Sequence, residues 1–405
     1  MRKLSSLGLA VIIVCILLML FTLIFRTLIL IPQITLLLLL VIFSTCMFTD
    51  VDIKVSRHIE PSIIFPGDAV NVSIRVKNMG DSDIDIMSIT DYVDSKLREN
   101  YRVSISIKSG EEKVLTYSFN VSKRGRYRVG PIRIRIYDKL LFSYYEWQIK
   151  PIDIIVLPKY ESAGWTEART VVSGAWPGSF LSRRRGESTE FRGVREYVPG
   201  DVFRRINWRV TAKYDKFMIN EFESENITEL LLILDVTGLT EEDSKLLDDM
   251  VDLTASLAYT LIRLGNRVGI INHGGERRWI APGYGKIHLI KILESLSVSS
   301  IKYELPLTTI VEHLPRLIIR PGSFIIIVSS LISSDTIQAL SVLRSEGYRL
   351  AVICPVIDER KRRDIRQRIR CLEQLNNLLW ASRYGKVSVY IKGTPIKLVL
   401  EEILR

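Results

Sequence analysis

The sequence predicts a membrane-anchored chain of two folded domains: two N-terminal transmembrane helices, an immunoglobulin-like β-sandwich, and an α/β domain with a mostly parallel sheet. Three observations predict it. Two long uncharged runs open the chain, Leu4 to Phe25 and Thr27 to Phe48. Short stretches alternating in polarity, separated by turn residues, fill 51–158. Continuous apolar runs alternating with amphipathic stretches fill 229–405. The 405 residues are 47% apolar and 25% charged, which excludes disorder and low complexity. Four scattered Cys, without a close CxxC pair, exclude a disulfide scaffold or zinc ribbon. The net charge of +11 suits anionic headgroups, an acidic partner or nucleic acid, and does not choose among them.

Residues 1–50 read as a helical hairpin. Each uncharged run meets the roughly 20 residues that a helix needs to cross a bilayer. Arg26 and Pro32 mark the turn between them. Arg2 and Lys3 precede the first run and a basic remainder follows the second, so the positive-inside rule keeps both ends cytoplasmic. The alternatives are a cleaved signal peptide, for which the apolar core is too long, and a single span with the soluble part outside. Cys15, Cys46, Cys354 and Cys371 read as free thiols of a reducing compartment.

Residues 51–158 read as the sandwich. Val51–Val55, Val70–Val76, Val103–Ile107, Ile132–Ile136 and Ile152–Ile154 alternate with period two. Pro66-Gly67-Asp68, Met79-Gly80-Asp81, Ser109-Gly110 and Arg124-Gly125-Arg126 supply turns. Nothing in this stretch carries catalytic chemistry, and a spacer or docking module is the expected role.

Residues 159–228 break the pattern. They are dense in Arg and aromatics around a Pro199-Gly200-Asp201 turn, with Arg192, Arg195, Tyr197, Arg204, Arg205 and Trp208 beside it. Arg forks bind carboxylates and stack on rings. Three roles remain open at this point: an internal salt-bridge and cation–π knot, a partner-binding surface, or a nucleic-acid groove.

Residues 229–405 read as alternating strands and helices. Strands are expected at 230–234, 267–272, 323–329, 350–354 and 387–391, and helices at 241–264, 287–296, 334–346 and 364–380. Pro282-Gly-Tyr-Gly-Lys286 lacks the leading Gly and the trailing Ser/Thr of a phosphate loop. No Gly-x-Ser-x-Gly elbow exists. His273, just past a strand, reads as a loop residue. The basic run Arg360–Arg370 reads as a solvated helix start or a contact with anionic lipid or an acidic partner.

Phe191-Arg-Gly-Val-Arg-Glu-Tyr-Val-Pro-Gly-Asp-Val-Phe-Arg-Arg-Ile-Asn-Trp208 resembles the signature of the family called domain of unknown function 58. Arg195, Tyr197, Gly200, Asp201, Arg204, Ile206 and Trp208 fall on its pattern. Upstream, Arg124–Pro131 and Asp138-Lys-Leu-Leu-Phe142 resemble that family's sandwich, the second in degraded form. Asp235-Val-Thr237-Gly-Leu239 resembles the start of a von Willebrand factor type A domain, where an Asp-x-Ser-x-Ser turn holds a divalent cation. Asp235 and Thr237 match this metal-ion-dependent adhesion motif, Leu239 replaces the second hydroxyl, and Ser329-Ser330-Leu331 stands where a later acidic ligand is expected. A Mg²⁺ site there is thus degenerate.

The resemblance implies a membrane-anchored, non-enzymatic adaptor that binds a MoxR-type AAA+ ATPase and couples it to assembly or remodelling of membrane or envelope substrates. Membrane lipids are the second expected partner. The rival readings are a basic membrane-associated nucleic-acid binder and a divalent-metal-dependent hydrolase. A shortage of candidate bases opposes the hydrolase, and nucleic acid ranks last among the partners.

Overall fold

The structure is a computed structural model that describes residues 2–25, 28–46, 51–161, 191–199, 201–222, 229–274, 279–302, 305–313, 322–356 and 365–404. It divides into two compact units, Met1–Leu157 and Pro158–Arg405.

The first unit opens with a short strand β1 (Arg2–Leu4) and two helices, α1 (Ser6–Phe25) and α2 (Ile31–Cys46). α1 is long and apolar enough to cross a membrane. α2 has 16 residues, about 24 Å at 1.5 Å per residue, against a hydrocarbon core of about 30 Å. Within the second uncharged run the described α-helix covers Ile31–Cys46; Arg26, Thr27 and 47–50 lie outside the described residues.

The sandwich follows. A three-stranded antiparallel sheet has the order β2 (Ile53–Glu60), β3 (Ala69–Asn78), β6 (Glu112–Asn120). The facing sheet runs β1, β8 (Ser143–Ile149), β7 (Gly125–Tyr137), β4 (Ile84–Val93), β5 (Tyr101–Ile107), with β9 (Ile152–Val156) also on β7. Alternation fills the space between: Val70, Val72, Ile74 and Val76 of β3 meet Met87, Ile89, Ile132 and Ile134. β4, β6 and β8 are additions to the strands expected from sequence.

The helices are tied to this sandwich at one corner. β1 pairs antiparallel with β8, and Ser5 N donates to the Phe142 carbonyl at 2.9 Å. Asp138 Oδ2 accepts from the hydroxyl of Ser44 at the end of α2 and from Ser143 N at 3.3 Å. The aspartate of the degraded family motif thus joins a helix to the sheet.

Two other buried features hold the sandwich. Asp91 accepts from Arg57 Nη1 at 3.1 Å and from the Tyr117 hydroxyl at 2.7 Å, and Arg57 Nη2 reaches the Lys150 carbonyl at 3.1 Å. Burial pushes the Asp91 carboxyl above its ordinary value, against the lowering pull of Tyr117 and Arg57. Gly130 has φ +105°, and a Cβ there would stand 2.7 Å from Pro151 Cα and 2.9 Å from Arg57 Nη1. Only glycine combines that backbone with that approach. Gly130→Ala is expected to lower the stability of the sandwich by about 1–3 kcal/mol in denaturant titration.

The second unit contains a two-stranded hairpin, β10 (Phe191–Glu196) and β11 (Met218–Phe222), with the short helix α3 (Trp208–Tyr214) between them. The α/β part follows. Its six-stranded sheet has the order β14 (Trp279–Gly283), β13 (Arg267–Asn272), β12 (Glu229–Asp235), β15 (Phe324–Ser329), β16 (Arg349–Pro355), β17 (Lys386–Tyr390). β12 to β13, β12 to β15, β15 to β16 and β16 to β17 pair parallel; β13 to β14 pairs antiparallel. The sheet is therefore mixed, because the edge strand β14 turns back antiparallel on β13.

Helices cover both faces: α4 (Ser244–Arg263), α5 (Lys286–Ser297), α6 (Leu307–Glu312), α7 (Ser334–Ser345), α8 (Ile365–Tyr384) and α9 (Ile396–Leu404). β12 and β15 are buried on both faces, which is why their sequences are continuous Leu, Ile and Val. β14, α6 and α9 were not expected from sequence.

Candidate functional site

The sheet order places a site. β12 is flanked by β13 on one side and β15 on the other, so the connections leave in opposite directions at its carboxyl end. Ligands of open α/β sheets bind in the crevice at such a switch point. The last residue of β12 is Asp235, with no exposed surface.

Both oxygens of Asp235 are taken by this chain's own donors. Oδ1 accepts from Thr237 N at 2.9 Å, from the Thr237 hydroxyl, and from His273 Nδ1 at 3.3 Å. Oδ2 accepts from Ser329 Oγ at 2.7 Å and Thr336 Oγ1 at 2.6 Å. Thr237 belongs to the turn after β12, Ser329 ends β15, and Thr336 lies in the first turn of α7. His273 follows β13.

His273 is buried, and its Nε2 faces the Leu305 carbonyl at 2.7 Å. Each ring nitrogen thus faces an oxygen, an arrangement in which Nε2 donates to Leu305 and a proton on Nδ1 is directed at Asp235. Burial pushes the His273 pKa down, but the Asp235 hydrogen bond and charge, the Leu305 carbonyl and the Asp335 charge raise it above its ordinary value. Burial likewise pushes the Asp235 carboxyl up. The His273 bond and charge, with the Thr237 and Thr336 hydroxyls, hold it below the usual carboxylate range. The two shifts favour the charged form of each partner in this buried pair at the strand ends. Asp335 orders the adjoining wall by accepting from Leu307 N at 2.7 Å and from the Thr308 hydroxyl.

As arranged, these residues do not fit a divalent cation. A hard ion needs several free oxygen lone pairs. Here the carboxylate lone pairs face hydroxyl and amide donors, His273 brings the positive charge, and Leu239 is apolar and buried. Among the described residues no group of three or more His, Cys, Asp or Glu is placed to hold a metal. Nearby, burial pushes the Cys354 thiol up to about 12 despite the Gln374 bond, so it is not a ready nucleophile.

The signature residues fold into a separate small knot on the β10–β11 hairpin. Arg195 Nη1 and Nη2 donate to the two oxygens of Asp201, both at 2.7 Å, and Asp201 Oδ2 also accepts from Val198 N at 3.0 Å. This fork closes the loop that leaves β10. Asn207 caps α3 by accepting from Val210 N at 3.1 Å and donates to Asn220 Oδ1 at 2.8 Å. Ile206 and Ile219 are buried beneath.

Tyr197 packs on Phe203 and Phe217, with ring centres 5.5 and 6.3 Å apart, and Trp208 meets Phe217 edge-on at 6.4 Å. Arg204 and Trp208 themselves face solvent, Trp208 with 65% of its surface exposed. Arg195, Tyr197 and Asp201 are thus brought together, while Arg204 and Trp208 form the surface. Arg192 lies on β10 with its side chain outside what is described, and Gly200 lies outside the described residues. The bonds named here close within residues 195–220.

Sequence reasoning placed Ser329 beside Asp235, in the position of an expected ligand, and missed His273 and Thr336 as members of the cluster. The one available signal was their polarity at the ends of apolar strands or the start of a helix.

A family model described as "Protein of unknown function DUF58" matches residues 193–363, and one described as CARDB matches residues 50–131. "Uncharacterized protein YeaD" of Bacillus subtilis (strain 168) is 22% identical over 312 residues, covering 74% of this chain and 75% of that protein. Among solved structures, the CARDB domain of the PF1109 protein from Pyrococcus furiosus, crystallised in complex with di-metal ions, is 19% identical. It covers 27% of this chain and 91% of that one, with a TM-score of 0.21. A β-glucosidase from Listeria innocua is 13% identical over 26% of this chain and 16% of its own, with a TM-score of 0.18. Residues 50–131 of the N-terminal sandwich thus match the CARDB model, and residues 193–363, which hold the whole Arg195–Trp208 signature and the Asp235 cluster, match the DUF58 model.

Proposed function

We propose that this chain is a membrane-anchored, non-enzymatic adaptor that docks an AAA+ ATPase of the MoxR type and couples its ATP-driven remodelling to membrane or envelope substrates. In this reading α1 and α2 form two spans, the folded units are cytoplasmic, and the α/β part acts as a von Willebrand A-like docking domain. The observation that carries it is the self-satisfied Asp235 cluster. A carboxylate saturated by five internal donors has no capacity left to act as a base or to hold a reactive water, so the site suits rigid presentation of a surface more than chemistry. Four parallel pairings with one antiparallel edge pairing are compatible with such a docking domain.

The signature knot divides the test. Asp201 holds the loop, so Asp201→Ala is expected to loosen the hairpin. Arg204 and Trp208 are exposed, so Arg204→Glu and Trp208→Ala are expected to leave the unfolding temperature unchanged. Full-length protein is solubilised in detergent, captured from its own cells with and without Mg²⁺-ATP, and read by mass spectrometry. The expected result is enrichment of an AAA+ ATPase, reduced about tenfold by Arg204→Glu or Trp208→Ala, the size of a hot-spot loss. Capture without any AAA+ ATPase, or enrichment that both surface variants retain, discards this docking role for the knot.

A further inference from the structure

The inward side of α8 packs Ala381, Leu378 and Tyr384 on the core and carries a polar row that clamps the loops at the strand ends. Arg370 donates to Asp243 Oδ2 at 2.6 Å and to the Gly238 carbonyl at 3.0 Å. Gln374 donates to the Ser330 and Pro355 carbonyls at 2.9 and 3.1 Å, and Asn377 to the Leu331 and Ile332 carbonyls at 2.9 and 3.2 Å. Its outward face is apolar. Ile365, Ile369, Leu372, Leu375 and Leu379 are all exposed, Leu372 by 66% and Leu379 by 72%. An exposed apolar patch is the informative kind of surface residue, because single exposed Leu are ordinary and a row of them is not.

The spacing of that row narrows the occupant. Steps of four, three, three and four residues are the seam of a helix that packs against another helix. Ile365, Leu372 and Leu379 recur at heptad spacing on one line. Arg368 and Arg383 lie on the same outward side and are exposed. A bilayer-embedded face is a broader apolar arc with its basic residues on the opposite side. The charge narrows it further. The charged residues described on the outward side, Arg368 and Arg383, are both basic, while Arg370 is turned inward onto Asp243. A second copy of α8 would bring like charges together along the seam.

We infer that the outward face of α8 is a docking ridge for an amphipathic helix of a partner protein, with apolar seam residues and acidic flanks. The inference rests on the adaptor reading and names a partner surface for it. Because Arg370, Gln374 and Asn377 tie the same helix to the loops after β12, β15 and β16, a partner on the ridge would rest on the floor of the Asp235 cluster.

The probe is a synthetic three-heptad helix with Leu and Ile in its seam and Glu on its flanks, labelled for fluorescence anisotropy. A second peptide carries Lys on its flanks. Full-length protein is held in nanodiscs of neutral phosphatidylcholine. Saturable binding of the Glu peptide is expected, weakened about tenfold or more by Leu372→Ser/Leu379→Ser and about tenfold for the Lys peptide. Those leucines are exposed, so unchanged thermal unfolding of the double variant serves as the folding control.

Absence of saturable binding, equal binding of both peptides, or full binding by the folded double variant overturns the inference. So does self-association in sedimentation that the double variant abolishes, which would assign the ridge to a second copy. Hydrogen-exchange protection of the α8 amides on moving to anionic phosphatidylglycerol nanodiscs, with no peptide binding, would assign it to the bilayer and overturn the inference too. ATPase capture is scored separately: capture intact in the double variant with peptide binding absent discards the ridge and leaves the adaptor reading standing.

Discussion

Asp235→Ala is expected to destabilise the α/β part by about 3–5 kcal/mol, because it leaves the His273 cation buried and unpaired. It also strands the hydroxyls of Thr237, Ser329 and Thr336, which all donate to this carboxylate. Hydrogen exchange of the β12 and β15 amides should rise with the loss of global stability. A loss below about 1 kcal/mol would mean that the cluster does not hold the strand ends as described.

The same pair predicts a pH window. The His273 pKa is raised in the folded state, so its contribution is complete below about pH 6.5 and is lost as pH rises through the higher folded value. The Asp235 pKa is lowered, so its contribution is complete above about pH 3.9 and is lost as pH falls through the lower folded value. Both are present in full between about pH 4 and about pH 6.5. Stability of the α/β part should decline above that range, and His273→Gln should remove the decline at a cost in stability. A wild-type profile that stays flat to alkaline pH would show that the imidazole is neutral throughout.

Arg57→Ala is the second large expected effect, about 3–5 kcal/mol in the sandwich, since it removes the cationic partner of a carboxylate with no exposed surface. The pH dependence has the opposite sign to that of Asp235. Burial raises the Asp91 pKa, so its contribution is complete below about pH 3.9 and is lost as pH rises through the folded value. Replacing both partners, Arg57→Met with Asp91→Leu, should cost much less than Arg57→Ala alone, because the charges leave together. Denaturant midpoints of the three proteins decide it. If the single and double variants lose the same stability, the ion pair is not what makes Arg57 important.

The broad composition of the fold was legible because it depends on local periodicity. Alternation at Val70–Val76 and Ile132–Ile136 makes one face of a strand apolar, and these residues lie in β3 and β7. A continuous apolar run at 230–234 can be satisfied only by burial on both faces, and it is β12. The Pro199-Gly200-Asp201 turn chemistry marked the signature, and Arg195 and Asp201 are close enough in sequence for their pairing to be expected.

Tertiary structure decided the rest. His273 follows Asn272 in what looks like an ordinary loop, and its partners Asp235 and Leu305 are 38 and 32 residues away. Parallel pairing of β12 with β13 and β15 brings them together, and no local pattern encodes that contact. β14 escaped notice because its antiparallel return on β13 depends on a sheet edge. In α8 the periodicity of apolar residues is plain in the sequence, yet periodicity does not say which face turns inward. The strand-end carbonyls of Ser330, Leu331 and Pro355 require donors, and Gln374 and Asn377 supply them. That hydrogen-bond demand, with Ala381 and Leu378 packed on the core, fixes which side turns inward and leaves the Ile365–Leu379 row to solvent, so the sequence by itself determined the helix and the fold determined which way it faces.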